Sequence, residues 1–407
     1  MLISRNADKI IFFISLFLVI IPKINLVSFS GESAGLRIDD FIIFSFLGVF
    51  LVAFIKRGLV TNFDGYIYFI FFSLVSIGFC YLIDSAGGSF LYPIRFIEYL
   101  FFYIVGRYCI HQENFNKQLM LIFIVNALVM IFQYLGFIGG FASAGYDSDI
   151  SSRVIGLTGG PWEIGFLINI IFCCYVFGCQ LRKTKIITFF IFSFIFVIAT
   201  GARMPTLTHL LLFSVYLFLS SKNKFLSFLT VSLILIVLVV FMINVDNPVS
   251  ERSAKLFSIN NYTTLLEFYD KVIITVPFHD FPPFPINNSS DLSWLMRVAK
   301  WSYAVKQWSL SDITILIGLG SGYWGPALDG GWLRILTENG IIGLSLFLMA
   351  LLNFSKNHIV CKLIIIAFSV NMLMIDLYLS YKSMALLLLC MGFYKSKNNF
   401  IFKREVK

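Results

Sequence analysis

Phe225-Leu226-Ser227-Phe228-Leu229-Thr230-Val231-Ser232-Leu233-Ile234-Leu235-Ile236-Val237-Leu238-Val239-Val240-Phe241-Met242-Ile243-Asn244-Val245 carries no charged residue, with Lys222 and Lys224 before it and Asp246 after it. A helix needs about 20 apolar residues to cross ~30 Å of hydrocarbon, and this stretch has them. Comparable runs recur from Ile10 to Tyr394 with little between them. Aliphatic, aromatic and cysteine residues make up 58% of the 407 positions and charged residues 13%, about half the ~25% charge of soluble domains. A soluble core has no use for so many apolar runs. The fold class expected is therefore an all-α polytopic membrane protein of about 12 transmembrane helices with one large extracytoplasmic loop.

Windows of about 19 residues place spans near 9–27, 38–55, 66–83, 90–108, 118–138, 161–181, 186–200, 204–220, 225–245, 331–353, 359–379 and 381–394. The first run ends in Ile21-Pro22-Lys23 without a small-residue cleavage site, and reads as a retained span. Lys56-Arg57, Arg107 to Lys117, Arg182-Lys183-Thr184-Lys185, Lys222-Asn223-Lys224, Lys356 and both termini alternate to one face, which the positive-inside rule makes cytoplasmic. The other face receives Ser28 to Asp40, Asp84 to Ser89, Gly139 to Gly160, Thr200 to Arg203 and Asp246 to Gly330. The organisation expected is spans one to nine in 1–245, a large loop in 246–330, spans ten to twelve in 331–394 and a cytoplasmic tail in 395–407.

That loop, about 85 residues, far exceeds an ordinary connection and reads as a functional cap. Its middle, Phe278-His279-Asp280-Phe281-Pro282-Pro283-Phe284-Pro285, is too rich in proline for a helix. Its flanks read as helical. Trp294, Val298, Trp301, Val305 and Trp308 recur at spacings of three and four, an amphipathic pattern suited to a membrane surface. The formal net charge of +9 sits mostly on the cytoplasmic side, which favours lipid over nucleic acid as its partner. All seven cysteines (Cys80, Cys109, Cys173, Cys174, Cys179, Cys361, Cys390) fall in or beside apolar runs, so no disulfide framework or CxxC metal site is implied. No internal repeat of useful period is present.

Charges near membrane depth are costly and face a cavity or a partner, which makes the outer-face arginines and carboxylates informative. Thr200-Gly201-Ala202-Arg203-Met204-Pro205 is the sharpest signal. Pro205 suits a first helical turn, which sets Arg203 at a helix N-terminus where the macrodipole disfavours a cation. An anion offsets that conflict. Backbone N–H groups, a glycine permitting close approach and a guanidinium together make a phosphate-binding corner; the competing role is an arginine reaching to lipid headgroups. Arg297 opens the amphipathic helix of the long loop with Lys300 at i+3, and Arg153 lies between Ser151 and Pro161. Several cations facing one outer vestibule favour a polyanionic headgroup, although for Arg153 and Lys300 a solvated charge is an equal alternative.

Asp329 stands where the loop re-enters the membrane, in Gly318-Leu319-Gly320-Ser321-Gly322-Tyr323-Trp324-Gly325-Pro326-Ala327-Leu328-Asp329-Gly330-Gly331-Trp332. The glycines give a turn that can bring backbone close to a ligand and leave room for it. A carboxylate there can act as general base or cap the next helix. Arg334 and Glu338, at i and i+4, can pair with each other. Arg95 and Glu98, at i and i+3 in an apolar run, suggest an internal ion pair, and Asp39-Asp40 suit a cap of the second span. Asp147-Ser148-Asp149 matches the DxD pattern of nucleotide-sugar enzymes but faces away from cytosolic nucleotides. Among His111, His209, His279 and His358 no metal-ligand spacing arises.

These residues resemble the O-antigen polymerase and O-antigen ligase superfamily of bacterial envelope glycan assembly. Three short motifs carry the resemblance: Thr200-Gly201-Ala202-Arg203; Arg297 to Trp301 followed by Gly318-Leu319-Gly320; and Asp329-Gly330-Gly331-Trp332-Leu333 with Gly340 and Gly343 downstream. It spans the whole chain in architecture, from twelve spans to the periplasmic loop between the ninth and tenth. The resemblance implies a GT-C-like inner-membrane protein that transfers glycan at the periplasmic face from an undecaprenyl-diphosphate-linked oligosaccharide, with no metal, nucleotide sugar or other cofactor. It implies Asp329, Arg203 and Arg297 as the catalytic set, with the arginines on the diphosphate, and Arg153, Lys300, Arg37, Arg95, Arg334 and Glu163 as candidate substrate contacts. The ligases begin the third motif with histidine followed by asparagine, where this chain has Asp329 and Gly330, a departure that favours the polymerase over the ligase. A cell-wall polymerase of the same broad architecture ranks third. A lipid-oligosaccharide flippase is the alternative from another class, though transporters more often show repeats and short loops. Partners implied are the lipid-linked oligosaccharide, membrane lipids and a chain-length regulator.

The alternation of Lys and Arg clusters predicts that 246–330 is extracytoplasmic. Ser289→Cys is expected to react with a membrane-impermeant thiol reagent in whole cells with a permeabilised outer membrane; labelling only after inner-membrane lysis would reverse the topology.

Overall fold

The computed structural model describes residues 5–22, 25–28, 35–57, 63–82, 89–109, 112–140, 153–179, 181–223, 225, 232, 268–274, 292–325 and 327–405. Apart from residues 225 and 232, the ninth expected span lies outside these residues, as do the proline-rich segment and the DxD triplet. In chain order the elements are α1 (Arg5–Ile20), β1 (Asn25–Ser28), β2 (Gly35–Arg37), α2 (Ile38–Arg57), α3 (Tyr66–Leu82), α4 (Leu91–Tyr108), α5 (Gln112–Tyr134), α6 (Pro161–Gly178), α7 (Lys183–Ala199) and α8 (Arg203–Ser220). After these come α9 (Leu292–Trp308), α10 (Asp312–Ile317), α11 (Gly331–Ser355), α12 (Ile359–Asn371), a 3-10 turn (Leu377–Leu379) and α13 (Tyr381–Glu405).

The apolar runs thus fold as helices, and three of those described are long and apolar enough to cross a membrane: Phe115–Tyr134 within α5, α6 and α11. Lys9–Ile20, Tyr66–Phe79 and Ile359–Asn371 are shorter apolar helices. Large apolar side chains point outward from several of them, including Phe13, Ile55, Phe71, Ile195 and Leu352. Lipid accepts that exterior, and a helix satisfies its own backbone there.

Some expectations need correction. The all-α class holds, with β1 and β2 adding only a short antiparallel hairpin in which Asn25 faces Arg37; the first helix stops at Ile20, short of the expected residue 27. The run 359–379 is not one span: α12 ends at Asn371, and the chain leaves the helix before the 3-10 turn. The expected 395–407 tail begins inside α13, which continues to Glu405. In α11, Gly340 sits at φ 64° and ψ −173°, which breaks the ladder of a long helix. The C-terminus of α10 fills the space there, and a Cβ on Gly340 would meet the Leu316 carbonyl. Thr337 and Glu338 carbonyls, turned aside by this kink, accept instead from Leu319 N–H (2.9 Å) and Gly320 N–H (2.8 Å).

The helices share two ends. At one, Lys395 pairs with Asp64, Tyr103 donates to Asp64 at 2.6 Å, Asn353 donates to the Asp64 carbonyl at 3.2 Å, and His358 stacks on Tyr394. At the other, the start of α4 meets the glycine-rich segment through Ser89 N–H to Ser321 O, 2.8 Å, and Tyr92 Oη to Gly325 O, 2.6 Å. The core joins α1, α4, α6, α12 and α13 through buried aromatics such as Phe101, Phe102, Phe166 and Phe368. Several buried polar groups link helices: His209 bridges Ser193 (2.9 Å) and Asn169 (2.7 Å), tying α6, α7 and α8, and Asn371 of α12 donates to Thr208 of α8 at 2.9 Å.

Helix α4 packs closely on α13. Gly106 lies against the Leu389 carbonyl and Gly392 against the Tyr103 carbonyl, so both backbones touch without intervening side chains. Small residues permit such approach where lipid supplies no hydrophobic drive between helices. Gly392→Val is expected to lower stability by about 1–3 kcal/mol through overpacking, read as a lower melting temperature of the detergent-purified protein.

Candidate functional site

Three arginines distant in sequence meet in one cleft. Arg153, Arg203 and Arg297 line a cavity of about 130 Å³ with Trp162, Trp294, Met204, Pro205, Met374 and Ile375. Arg203 comes from the first residue of α8, as the Pro205 signal predicted, with Ala202 as an N-cap that has no side-chain cap. The tight corner between α7 and α8 depends on Gly201 in the left-handed region, φ 63°, where glycine pays no steric penalty. Thr200 Oγ1 closes the corner by accepting from Ala202 N–H at 3.2 Å. Gly165 of α6 lets Pro205 approach, since a Cβ there would meet Pro205 Cβ at 2.6 Å. That contact holds the start of α8 beside Trp162. Arg153 is steered to the same place, its Nε donating to the Thr200 carbonyl at 3.1 Å.

Arg297 does not open its helix; α9 begins at Leu292 and places Arg297 in its second turn. There it faces Asp329, Nε to Oδ2 3.6 Å. Lys300, one turn on, donates to the Ala327 carbonyl at 3.1 Å and braces the glycine-rich segment.

Asp329 does not cap the next helix. Gly330 is the N-cap of α11 and no side chain caps it. Asp329 itself has φ 60°, a left-handed conformation shared only by Asp64 among the described non-glycine residues. Its carboxyl is pushed above the usual carboxylate range, chiefly by burial, against the lowering by Arg297 and with a smaller upward push from Asp376; Lys300 and Arg334 also lower it. Burial outweighs the arginines. With 40% of the side chain exposed, that push is one of a crowded recess rather than of full desolvation.

Most glycines around Asp329 do not leave open space, Gly325 excepted. A Cβ on Gly330 would meet Trp301 Nε1 at 2.8 Å, one on Gly331 would meet Met372 Sδ at 2.5 Å, and Gly322 lies against the Tyr92 ring. They allow backbone to pack against side chains, and room for a ligand lies in the arginine cleft instead.

Behind the cleft is a fully enclosed ion cluster. Arg334, 0% exposed, pairs with Glu338 at 2.9 Å and also with Asp376 at 3.0 Å. It donates to the Gly325 carbonyl as well and lies 5.4 Å from the Tyr92 ring centroid. Glu338 accepts from Trp324 N–H at 3.3 Å and from Tyr378 Oη at 3.1 Å. Asp376 accepts from the N–H groups of Leu328 (2.8 Å), Asp329 (3.2 Å) and Gly330 (3.0 Å). Arg334 is thus committed to the protein interior. The spacing of Arg334 and Glu338 foretold one pair, but Asp376 lay inside an apolar run. Its signal was a carboxylate within an otherwise apolar run.

The other candidates are placed apart from the cleft or within the frame. Arg95 binds Asp40 at 2.7 Å and Glu98 at 3.0 Å, so the anticipated Arg95 and Glu98 pair forms and Asp40 serves it from the first turn of α2. Glu163 is buried in the first turn of α6, accepting from Gly159 N–H (2.8 Å), Ser380 Oγ (2.5 Å) and Lys382 N–H (3.2 Å). Arg37 ends β2. Among the described residues no group of three or more His, Cys, Asp or Glu side chains is arranged to hold a metal ion. No protein-family model matches the chain, and no curated protein matches it in sequence.

The enclosed cluster makes Arg334 the residue least able to change. Arg334→Met is expected to destabilise by about 3–5 kcal/mol because Glu338 and Asp376 would be left as buried uncompensated charge, whereas Arg153→Ala in the open cleft is expected to stay within about 1 kcal/mol; thermal melting of the two variants compares them.

Proposed function

We propose that this chain is an O-antigen polymerase of the bacterial inner membrane, transferring a growing undecaprenyl-diphosphate-linked glycan onto a second lipid-linked repeat unit at the periplasmic face. The observation that carries the reading is the convergence of Arg153, Arg203 and Arg297 on one cleft, beside a carboxylate in contact with one of them. Three guanidiniums lining one recess favour an anion of more than one charge, and a diphosphate supplies paired oxygens for planar fork donors. The N-terminal end of α8 adds its backbone dipole at the same point. Met204, Pro205, Met374 and Ile375 give the cleft apolar walls, as a prenyl-linked substrate requires.

In the reaction, the acceptor hydroxyl oxygen attacks the anomeric carbon of the donor glycan. The anomeric C–O bond to the diphosphate breaks, and the lipid diphosphate leaves with the bonding electrons. Arg203, Arg297 and Arg153 stabilise the charge that grows on the phosphate oxygen, an electrostatic contribution preorganised before substrate arrives. Asp329 takes the proton of the acceptor hydroxyl. Its raised pKa makes it a stronger base than an ordinary carboxylate and sets the acid limb of the rate profile above the usual carboxylate range. About twelve spans and a periplasmic cap over 246–330 complete this reading, with a chain-length regulator as partner and the O-antigen ligase as the alternative enzyme. Asp329 in place of the ligase histidine favours the polymerase.

Deleting the gene is expected to leave a single repeat unit on the lipid core in a surface-polysaccharide gel; complete loss of the repeat would point to a ligase or flippase. In complementation, Arg203→Ala is expected to abolish polymer at unchanged protein level, with lysine rescuing poorly. Asp329→Asn is expected to insert normally and be almost inactive, with glutamate retaining some function; normal polymer from Asp329→Asn would remove it as the base.

A further inference from the structure

We propose that Asp376 is a positioning residue for this reaction, holding Asp329 in the left-handed backbone conformation that turns its carboxylate toward Arg297. The inference rests on the polymerase reading above for its functional half, and on geometry alone for its structural half.

An L residue with a side chain at φ 60° persists only where its surroundings over-determine it. Here the determinant is one carboxylate. Asp376 Oδ2 accepts from Leu328 and Asp329 N–H, and Oδ1 accepts from Gly330 N–H, so three consecutive amides are gathered onto one side chain. Such a turn is a backbone nest, which closes around an anion. The anion is itself fixed, since Arg334 Nη1 holds Oδ2 at 3.0 Å and Arg334 is 0% exposed. Asp376 can occupy this place because α12 stops at Asn371 and the following segment turns toward the glycine-rich loop. It is not among the residues lining the arginine cleft, so its influence on substrate passes through Asp329.

Charge gives the arrangement a second effect. The cations acting on Asp329 are Arg297 and Lys300 from α9 and Arg334 from α11, and all three weaken it as a base. Asp376 is the carboxylate acting in the opposite sense. Neutralising it therefore lowers the pKa of Asp329 as well as loosening its backbone.

Amide hydrogen exchange on the full-length protein in nanodiscs reads the geometry without substrate. Asp376→Asn is expected to speed exchange at residues 328–330 by about tenfold or more, the scale of losing well-made hydrogen bonds. Unchanged exchange there would overturn the proposal. Polymer formation in isolated membranes of the gene-deleted strain, using its own lipid-linked repeat units, reads the function. Asp376→Asn is expected to reduce the rate at least tenfold at normal protein level and to move the acid limb of its residual activity to lower pH. A purely structural role would leave that limb in place, and an unmoved limb would overturn the proposal. Asp376→Glu keeps the charge beside Arg334 while displacing the acceptor oxygens, and is the variant to read if the asparagine form fails to insert; it is expected to show faster exchange and partial activity, and normal values of both would overturn the proposal. Normal polymer from Asp376→Asn with Asp329→Asn inactive would sink the positioning role alone. Normal polymer from Asp329→Asn would sink the base assignment while exchange still decides the geometry.

Discussion

The arrangement depends on the burial of Arg334. Removing a guanidinium from water costs several kcal/mol even after relaxation, and only well-placed counter-charges with further hydrogen bonds offset it. Glu338, Asp376 and the Gly325 carbonyl supply them. Each partner then has a second task. Glu338 accepts from Trp324 and Tyr378, and Asp376 accepts from three amides beside Asp329. The glycine-rich segment is fastened at Leu319, Gly320, Ser321 and Trp324 to residues 337–339 of α11. A single buried cation thereby fixes the segment that carries the candidate base.

Two interruptions of helix make this possible. Gly340 breaks α11 and releases carbonyls to the loop, and the end of α12 at Asn371 frees the chain to bring Asp376 back. Irregular backbone is tolerated where protein surrounds it or a cavity adjoins it, and here both hold. The arginine cleft is built differently. Arg153, Arg203 and Arg297 arrive from a loop, a helix N-terminus and the second turn of α9, and they meet only in three dimensions. The ion cluster holds the backbone beside Asp329, while the three cleft arginines line a recess at its side.

The apolar runs were legible as helices because a long uncharged stretch satisfies its backbone most simply within one helix; α2, α3, α4, α6, α7, α8 and α11 start within a few residues of expectation. Arg203 at a helix start was legible from Pro205, since proline tolerates the first turn and little else in a helix. What the linear pattern hid was anything set by tertiary contact. Hydropathy averaged Asp376 into a continuous run and missed the end of α12. The density of glycine around Asp329 suggested open space, but a glycine marks either a gap or a close neighbour, and only packing tells which. Trp301 and Met372 are those neighbours. Arg334 drew attention as an outer-face arginine, and its enclosure depended on a partner 42 residues away.

The central claim is that Arg153, Arg203 and Arg297 form one site for a lipid-linked diphosphate. Its most direct measurement is equilibrium binding of undecaprenyl diphosphate, with undecaprenyl monophosphate as control, to the purified full-length protein in nanodiscs. The account predicts that the diphosphate binds at least tenfold more tightly than the monophosphate, and that Arg203→Ala removes that preference in a protein that still folds. Equal affinity for the two lipids, or a preference untouched by loss of Arg203, would contradict it.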